Sequence, residues 1–289
     1  MRRMFFSWIA LSFLPMACIG AEVIVTPIPV VSVPNPGPTF NDPLAANTWL
    51  RSNVRSGSSI GIDGTYPRSG TGSAFMSGIG GVSKADMQYF PAGGFGTLGN
   101  LSSLSYEWYR DGLSTNPPAQ APALRLQIDI DGNPNTPVDL GYLIYEPTYN
   151  GAGPSVPTDS WQSSGNLNLT TGNFWWFQSG VGADDSNPNS FTRTIQDYFN
   201  PANINAPFAL LSTNSLIVGI NFGFGSGWNG VFQGAVDNVA IGLGGNEATR
   251  WNFELTQEVP EPSTIAVWSV FGLASAVGAI RRRWITRVS

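Results

Sequence analysis

The segment Asp129-Ile-Asp-Gly-Asn-Pro-Asn135 sets oxygen-bearing side chains at alternate positions: Asp129, Asp131, Asn133 and Asn135. That spacing can present several hard ligands to a calcium ion, which takes about six to eight oxygens. It is not an EF-hand, because Gly132 stands at the fourth position and no glutamate stands at the twelfth. Asp-Gly-Asn-Pro is equally what a tight connection between two strands needs. A calcium loop and a plain turn are therefore both open. A second group is aromatic: Tyr149, Trp161, Trp175, Trp176 and Trp228. Indole and phenol faces give sugar rings a broad apolar platform beside polar edges. Phe174 to Phe177 are four consecutive aromatics, so both faces of that segment carry rings, one of them in the core. Trp228 lies in the glycine loop Gly225–Gly230, the kind of place where ligand contacts are carried. Trp175, Trp176 and Trp228 are the candidate glycan contacts.

Several chemistries are closed to this chain. There is no histidine, which removes Ser-His-Asp hydrolysis and imidazole acid–base work. The one cysteine, Cys18, falls in an apolar N-terminal stretch, so the remainder has no thiolate for zinc or nucleophilic attack. Glycoside hydrolysis needs two carboxyl groups roughly 5–9.5 Å apart. Glu107, Asp111, Asp129, Asp131 and Glu146 are available, yet their spacing singles out no pair. Gly93-Gly-Phe-Gly96 lacks the lysine and helix of a phosphate loop. A non-catalytic protein is expected. Residues 22–262 carry eight basic and nineteen acidic side chains, a net charge of −11, which does not suit nucleic acid or anionic lipid.

The elements that must position these residues read as strands. Leu124, Leu126, Ile128 and Ile130 alternate with Arg125, Gln127 and Asp129. Leu104, Tyr106 and Trp108 alternate with Ser105, Glu107 and Tyr109. Further runs follow at 141–146, 174–177, 216–222, 235–241 and 249–255, with turn clusters between them. A short helix is expected at Thr192–Phe199, with Phe191, Ile195 and Phe199 on one face. With Gly 34 and Pro 22 and so many short runs, the expected fold is all-β, an antiparallel jelly-roll-like sandwich over 48–255. Residues 22–47, rich in proline, read as an extended or flexible leader. The run Ala235-Val-Asp-Asn-Val-Ala-Ile241 resembles the last strand of carbohydrate-binding jelly rolls. The resemblance implies a structural calcium at Asp237.

The two ends carry address signals. Arg2 and Arg3 precede the apolar stretch Met4–Ile19, and the small residues Gly20 and Ala21 follow, the layout of a cleaved secretory signal over 1–21. At the other end, within 256–289, Pro260-Glu261-Pro262 leads into the apolar run Ile265–Ile280, closed by Arg281, Arg282 and Arg283. The prolines keep the approach extended, the run can enter a bilayer as a helix, and the arginines stay cytoplasmic. Sixteen residues at about 1.5 Å each fall short of a hydrocarbon core of about 30 Å, which favours a transient span over a permanent anchor.

This tail resembles the PEP-CTERM sorting signal of Gram-negative bacteria. The body is similar to uncharacterised proteins of that type through Leu104–Arg110, Gly141–Glu146, Gly225–Gly230 and Phe232–Val239. The resemblance implies export across the inner membrane, an exosortase as partner in trans, membrane contact through the C-terminal helix before processing, and delivery to the cell surface or extracellular matrix. It supplies no activity. The expected role is a structural or adhesive component of the extracellular polysaccharide layer. The alternatives are a calcium-supported carbohydrate-binding module and a polysaccharide-degrading enzyme.

Overall fold

The computed structural model describes residues 21–26, 28–32, 46–133, 139–185 and 189–256. The expected signal segment up to Gly20, the motif Pro260-Glu261-Pro262, the apolar run Ile265–Ile280, and Arg281, Arg282 and Arg283 lie outside these residues. Among the described residues, no helix is long and apolar enough to cross a membrane.

Alternating apolar and polar residues, broken by glycine-rich turns, fold as two sheets, and strands are numbered in chain order. In the first sheet β1 (Glu22–Val25), β15 (Thr249–Phe253), β14 (Val231–Leu243), β4 (Ser73–Ile79) and β3 (Ser58–Asp63) follow in that order. β7 (Leu101–Arg110) pairs with the free side of β14, and β10 (Gln162–Ser163) pairs with β7. The second sheet runs β12 (Gly182–Ala183), β11 (Phe174–Gln178), β9 (Leu140–Tyr145), β8 (Ala123–Asp129), β13 (Leu216–Phe224), β5 (Ala85–Tyr89) and β2 (Trp49–Ser52). The short β6 (Gly96–Thr97) also pairs with β13.

The inner faces of the two sheets share one apolar core, so the expected all-β sandwich is the fold found. Trp49 of β2 meets Trp251 and Phe253 of β15 edge-on, at 5.6 and 5.2 Å between ring centres. Tyr106 of β7 meets Tyr145 of β9 at 5.9 Å. The alternation in β7 is as expected, with Leu104, Tyr106 and Trp108 inside and Ser105, Glu107 and Tyr109 outward. β8 lies between β9 and β13 and is buried along its whole length.

Two expectations are corrected in detail. The proline-rich leader is not outside the domain: Glu22–Val25 pairs in parallel with Arg250–Phe253, and Val31 bridges to Ile60. Prolines elsewhere in the segment concealed this short pairing run. The helix near residue 195 is a 3₁₀ turn, Ile195–Phe199, opened by a capping box between Thr194 and Asp197. With three residues per turn, Ile195 and Tyr198 share its buried side, in place of Ile195 and Phe199.

Candidate functional site: a cleft on the outer face of the second sheet

Register across the second sheet lines up Trp175, Ile144, Arg125, Asn221 and Gln88, each opposite the next. Their chain neighbours Phe174, Tyr145, Leu124, Phe222 and Met87 point into the core, so this row faces outward. One row to one side stand Phe177, Tyr142 and Gln127. On the other side stand Gly223, Asp86 and Ser52. A Cβ on Gly223 would lie 2.4 Å from Asp86 Oδ1, so the glycine leaves that carboxylate its place. Together with Asn53, Lys84, Glu146, Gly225, Ser226 and Trp228, these rows, Gln127 and Gly223 apart, enclose a cleft of about 440 Å³.

Its floor is a buried polar network. Arg125 Nη1 donates to Asp86 Oδ1 at 2.8 Å and to Asn221 Oδ1 at 3.2 Å. Asn53 Nδ2 donates to Asp86 Oδ2 at 3.1 Å, and Lys84 Nζ lies 3.6 Å from the same oxygen. Burial lowers the Lys84 ammonium, and Asp86 offsets part of that. Burial raises the Glu146 carboxyl, while Arg125 and the Trp175 indole pull it back. The indole N–H makes no hydrogen bond of good geometry. Burial also raises the Tyr142 phenol.

The rim is aromatic. Trp175 is half-buried and lies 6.2 Å from Phe191, which in turn stacks on the exposed Tyr149 at 4.5 Å and 24°. Trp228 lines the far wall and is steadied by Phe224 and Phe232, at 5.9 and 5.0 Å. Trp175 and Trp228 are thus brought to one cleft.

Trp176 is not: it is 0% exposed and packs in the core over Gly141, where a Cβ would come within 2.3 Å of its ring. Neighbours in a strand face opposite ways, so only one of the two tryptophans could reach the cleft. Trp161 sits by Tyr109, which faces outward on the first sheet. Reading the sequence missed the polar cluster of Arg125, Asp86, Asn221 and Gln88. Its signal was polar residues at the outward positions of otherwise apolar strands.

The other candidates lie apart from the cleft. Glu107 is in the first sheet, where Arg68 holds it through Nε at 2.8 Å and Nη2 at 3.2 Å; it does not face Glu146. Asp129 and Asp131 meet Asp139, each offering a carboxylate oxygen within 4.8 Å of the others. Asn133 donates its amide to Asp131 Oδ1 at 2.6 Å, and Asn135 lies outside the described residues. Asp237 is buried in β14 at a bulge where Asn238 takes φ 51°. Its oxygens accept amides from Asn238, Phe253 and Ser69 at 2.7, 3.1 and 3.3 Å. Burial raises it to about 7 against the pull of those amides.

No known family profile and no curated protein matches the chain. Among solved structures, it is similar to a family 11 carbohydrate-binding module from Clostridium thermocellum, solved with a β-1,3-1,4-mixed-linked tetrasaccharide. The two are 13% identical with a TM-score of 0.36, covering 70% of this chain and 91% of that one. It is also similar to a carbohydrate-binding module, CBM28, specific for non-crystalline cellulose. Here the identity is 15% and the TM-score 0.29, over 74% of this chain and 99% of that one.

Proposed function

We propose that this is an exported glycan-binding β-sandwich that grips a polysaccharide chain in the cleft of the second sheet and does not cleave it. The observation that carries this reading is the cleft itself, an aromatic rim of Trp175 and Trp228 over a polar floor of Arg125, Asp86, Asn221 and Gln88. An indole face takes the apolar face of a pyranose, while amide, carboxylate and guanidinium groups fix its hydroxyls. The network holds these groups in place before a ligand arrives, which lowers the ordering cost of binding.

The charge pattern points to a neutral polymer. Two cations, Lys84 and Arg125, balance two carboxylates, Asp86 and Glu146, in a domain whose net charge repels acidic chains. The absence of histidine in the sequence, and an Asp86 carboxylate already engaged by Arg125, Lys84 and Asn53, support binding over turnover. The N-terminal signal and the Pro-Glu-Pro tail, as read from sequence, add the setting: export, exosortase processing and a place in the extracellular polysaccharide layer, where gripping a polymer is adhesive work.

Affinity electrophoresis of the purified protein against neutral and acidic polysaccharides tests the reading. Retardation by at least one neutral polymer is expected, and Trp175→Ala weakens it about tenfold, the loss of one ring contact of about 1.4 kcal/mol. Migration unchanged by every polymer sinks it. Release of oligosaccharides that stops in Glu146→Gln would overturn the non-catalytic part.

A further inference from the structure

The end of β8 remote from the cleft gathers three carboxylates, those of Asp129, Asp131 and Asp139. Asp129 is 1% exposed, and neither of its oxygens accepts a hydrogen bond of good geometry. Asp139 Oδ1 is likewise buried and unsatisfied. Asp131 completes the group, all three offering an oxygen within 4.8 Å of the others. Neither Asp129 nor Asp139 enters an ion pair among the described residues. Burying a carboxylate with other carboxylates is costly unless a cation or a proton joins them. Burial first, then Asp139 and Asp131, push Asp129 up to about 6, with the Asn133 backbone amide nearby, short of good hydrogen-bond geometry, pulling it back in part.

Backbone contacts hold the arrangement. Asp139 Oδ2 accepts the Asp131 amide at 3.1 Å, tying the two sides of the β8–β9 connection. Gly132, at φ 75°, passes close to the Asn214 carbonyl, where a Cβ would sit at 2.8 Å. Ser215 Oγ donates to the Ile130 carbonyl at 2.7 Å. The site therefore lies where three chain segments meet, and among the described residues its candidate ligands are carboxylate oxygens.

We propose that Asp129, Asp131 and Asp139 bind a hard divalent cation, calcium being the best fit, which fastens the β8–β9 connection to the segment before β13. An all-oxygen, carboxylate-rich set suits Ca²⁺, and Asp139 joins Asp129 and Asp131 from just before β9. The site is independent of glycan recognition: Asp129 is four residues beyond Arg125, about 13 Å along an extended strand.

Calorimetric titration of the chelator-stripped protein with CaCl₂, alongside melting curves, tests the proposal. One Ca²⁺ per chain is expected, with a dissociation constant of about 10⁻⁵–10⁻³ M and a melting temperature that rises with calcium concentration. Asp139→Asn weakens binding at least about tenfold, Asp129→Asn abolishes it, and Asp237→Asn leaves it intact. Asp139→Asn, on a half-buried residue, keeps the test open where Asp129→Asn fails to fold. Melting that ignores both calcium and chelator overturns the proposal, leaving a shared proton to join the carboxylates. So does calcium binding of unchanged affinity in Asp139→Asn. Retention by polysaccharide that persists in Asp139→Asn separates this site from the cleft.

Discussion

Trp175 and Trp176 are adjacent in the chain and opposite in role, one at the cleft rim and one sealed in the core. Sequence shows that the two must part but not which goes where, because the answer depends on the register of β11 against β9. Asp86 and Arg125 show the same limit. Neither stands out in its own segment, and they meet only because β13 separates β5 from β8 and brings Asn221 between them. Both side chains are nearly buried, at 5% and 10% exposure. Arg125→Met is expected to lower stability by about 3 kcal/mol, the low end for breaking a buried pair, since Lys84 and Asn53 still face Asp86. Adding Asp86→Leu should recover much of that loss in urea unfolding. An additive double mutant would show that the pair is uncoupled.

At the scale of elements, runs of alternating or apolar residues made seven of the fifteen described strands legible, β7, β8, β9, β11, β13, β14 and β15, which build the centre of each sheet. β1 to β6, β10 and β12 were not legible. β1, β2, β6, β10 and β12 are two to four residues long and defined by their partners. β3, β4 and β5 are too rich in small and polar residues to show a long apolar alternation. β14 reads as one apolar run, yet it changes neighbours along its length, from β4 to β15, with the Asp237–Asn238 bulge at the change. Packing of β9 against β11 depends on Gly141, whose absent side chain leaves room for the Trp176 ring. Gly141→Ala is expected to cost about 1–3 kcal/mol as overpacking and to displace Trp176. Unchanged stability with unchanged tryptophan fluorescence would contradict that packing.

For the whole molecule, buried carboxyls shape the pH dependence of stability, Asp237 and Asp129 among them. Asp237 titrates at about 7 and Asp129 at about 6, both above the ordinary aspartate value near 3.8. The folded state therefore holds more protons than the unfolded chain between these values, and stability from these groups is full below about pH 4. It declines as pH rises through 6 to 7. Asp237→Asn should flatten the upper part of that decline in melting curves taken from pH 4 to 8. Calcium should flatten the part that belongs to Asp129. A slope unaltered by Asp237→Asn would show that Asp237 is not the group responsible.

The ends of the chain add a prediction about its mature form. If the tail read from sequence is processed, mass spectrometry of the surface-derived protein will find no peptide from Ile265–Arg283. Recovery of that peptide would refute processing.

The central claim is that the outer face of the second sheet holds a polysaccharide chain. Backbone amide NMR shifts recorded while titrating oligosaccharides of a retained polymer test it most directly. The expected result is a contiguous set of perturbed amides around Gln88, Arg125, Tyr142, Trp175 and Ser226. Perturbations confined to the first sheet, with this row silent, would contradict it.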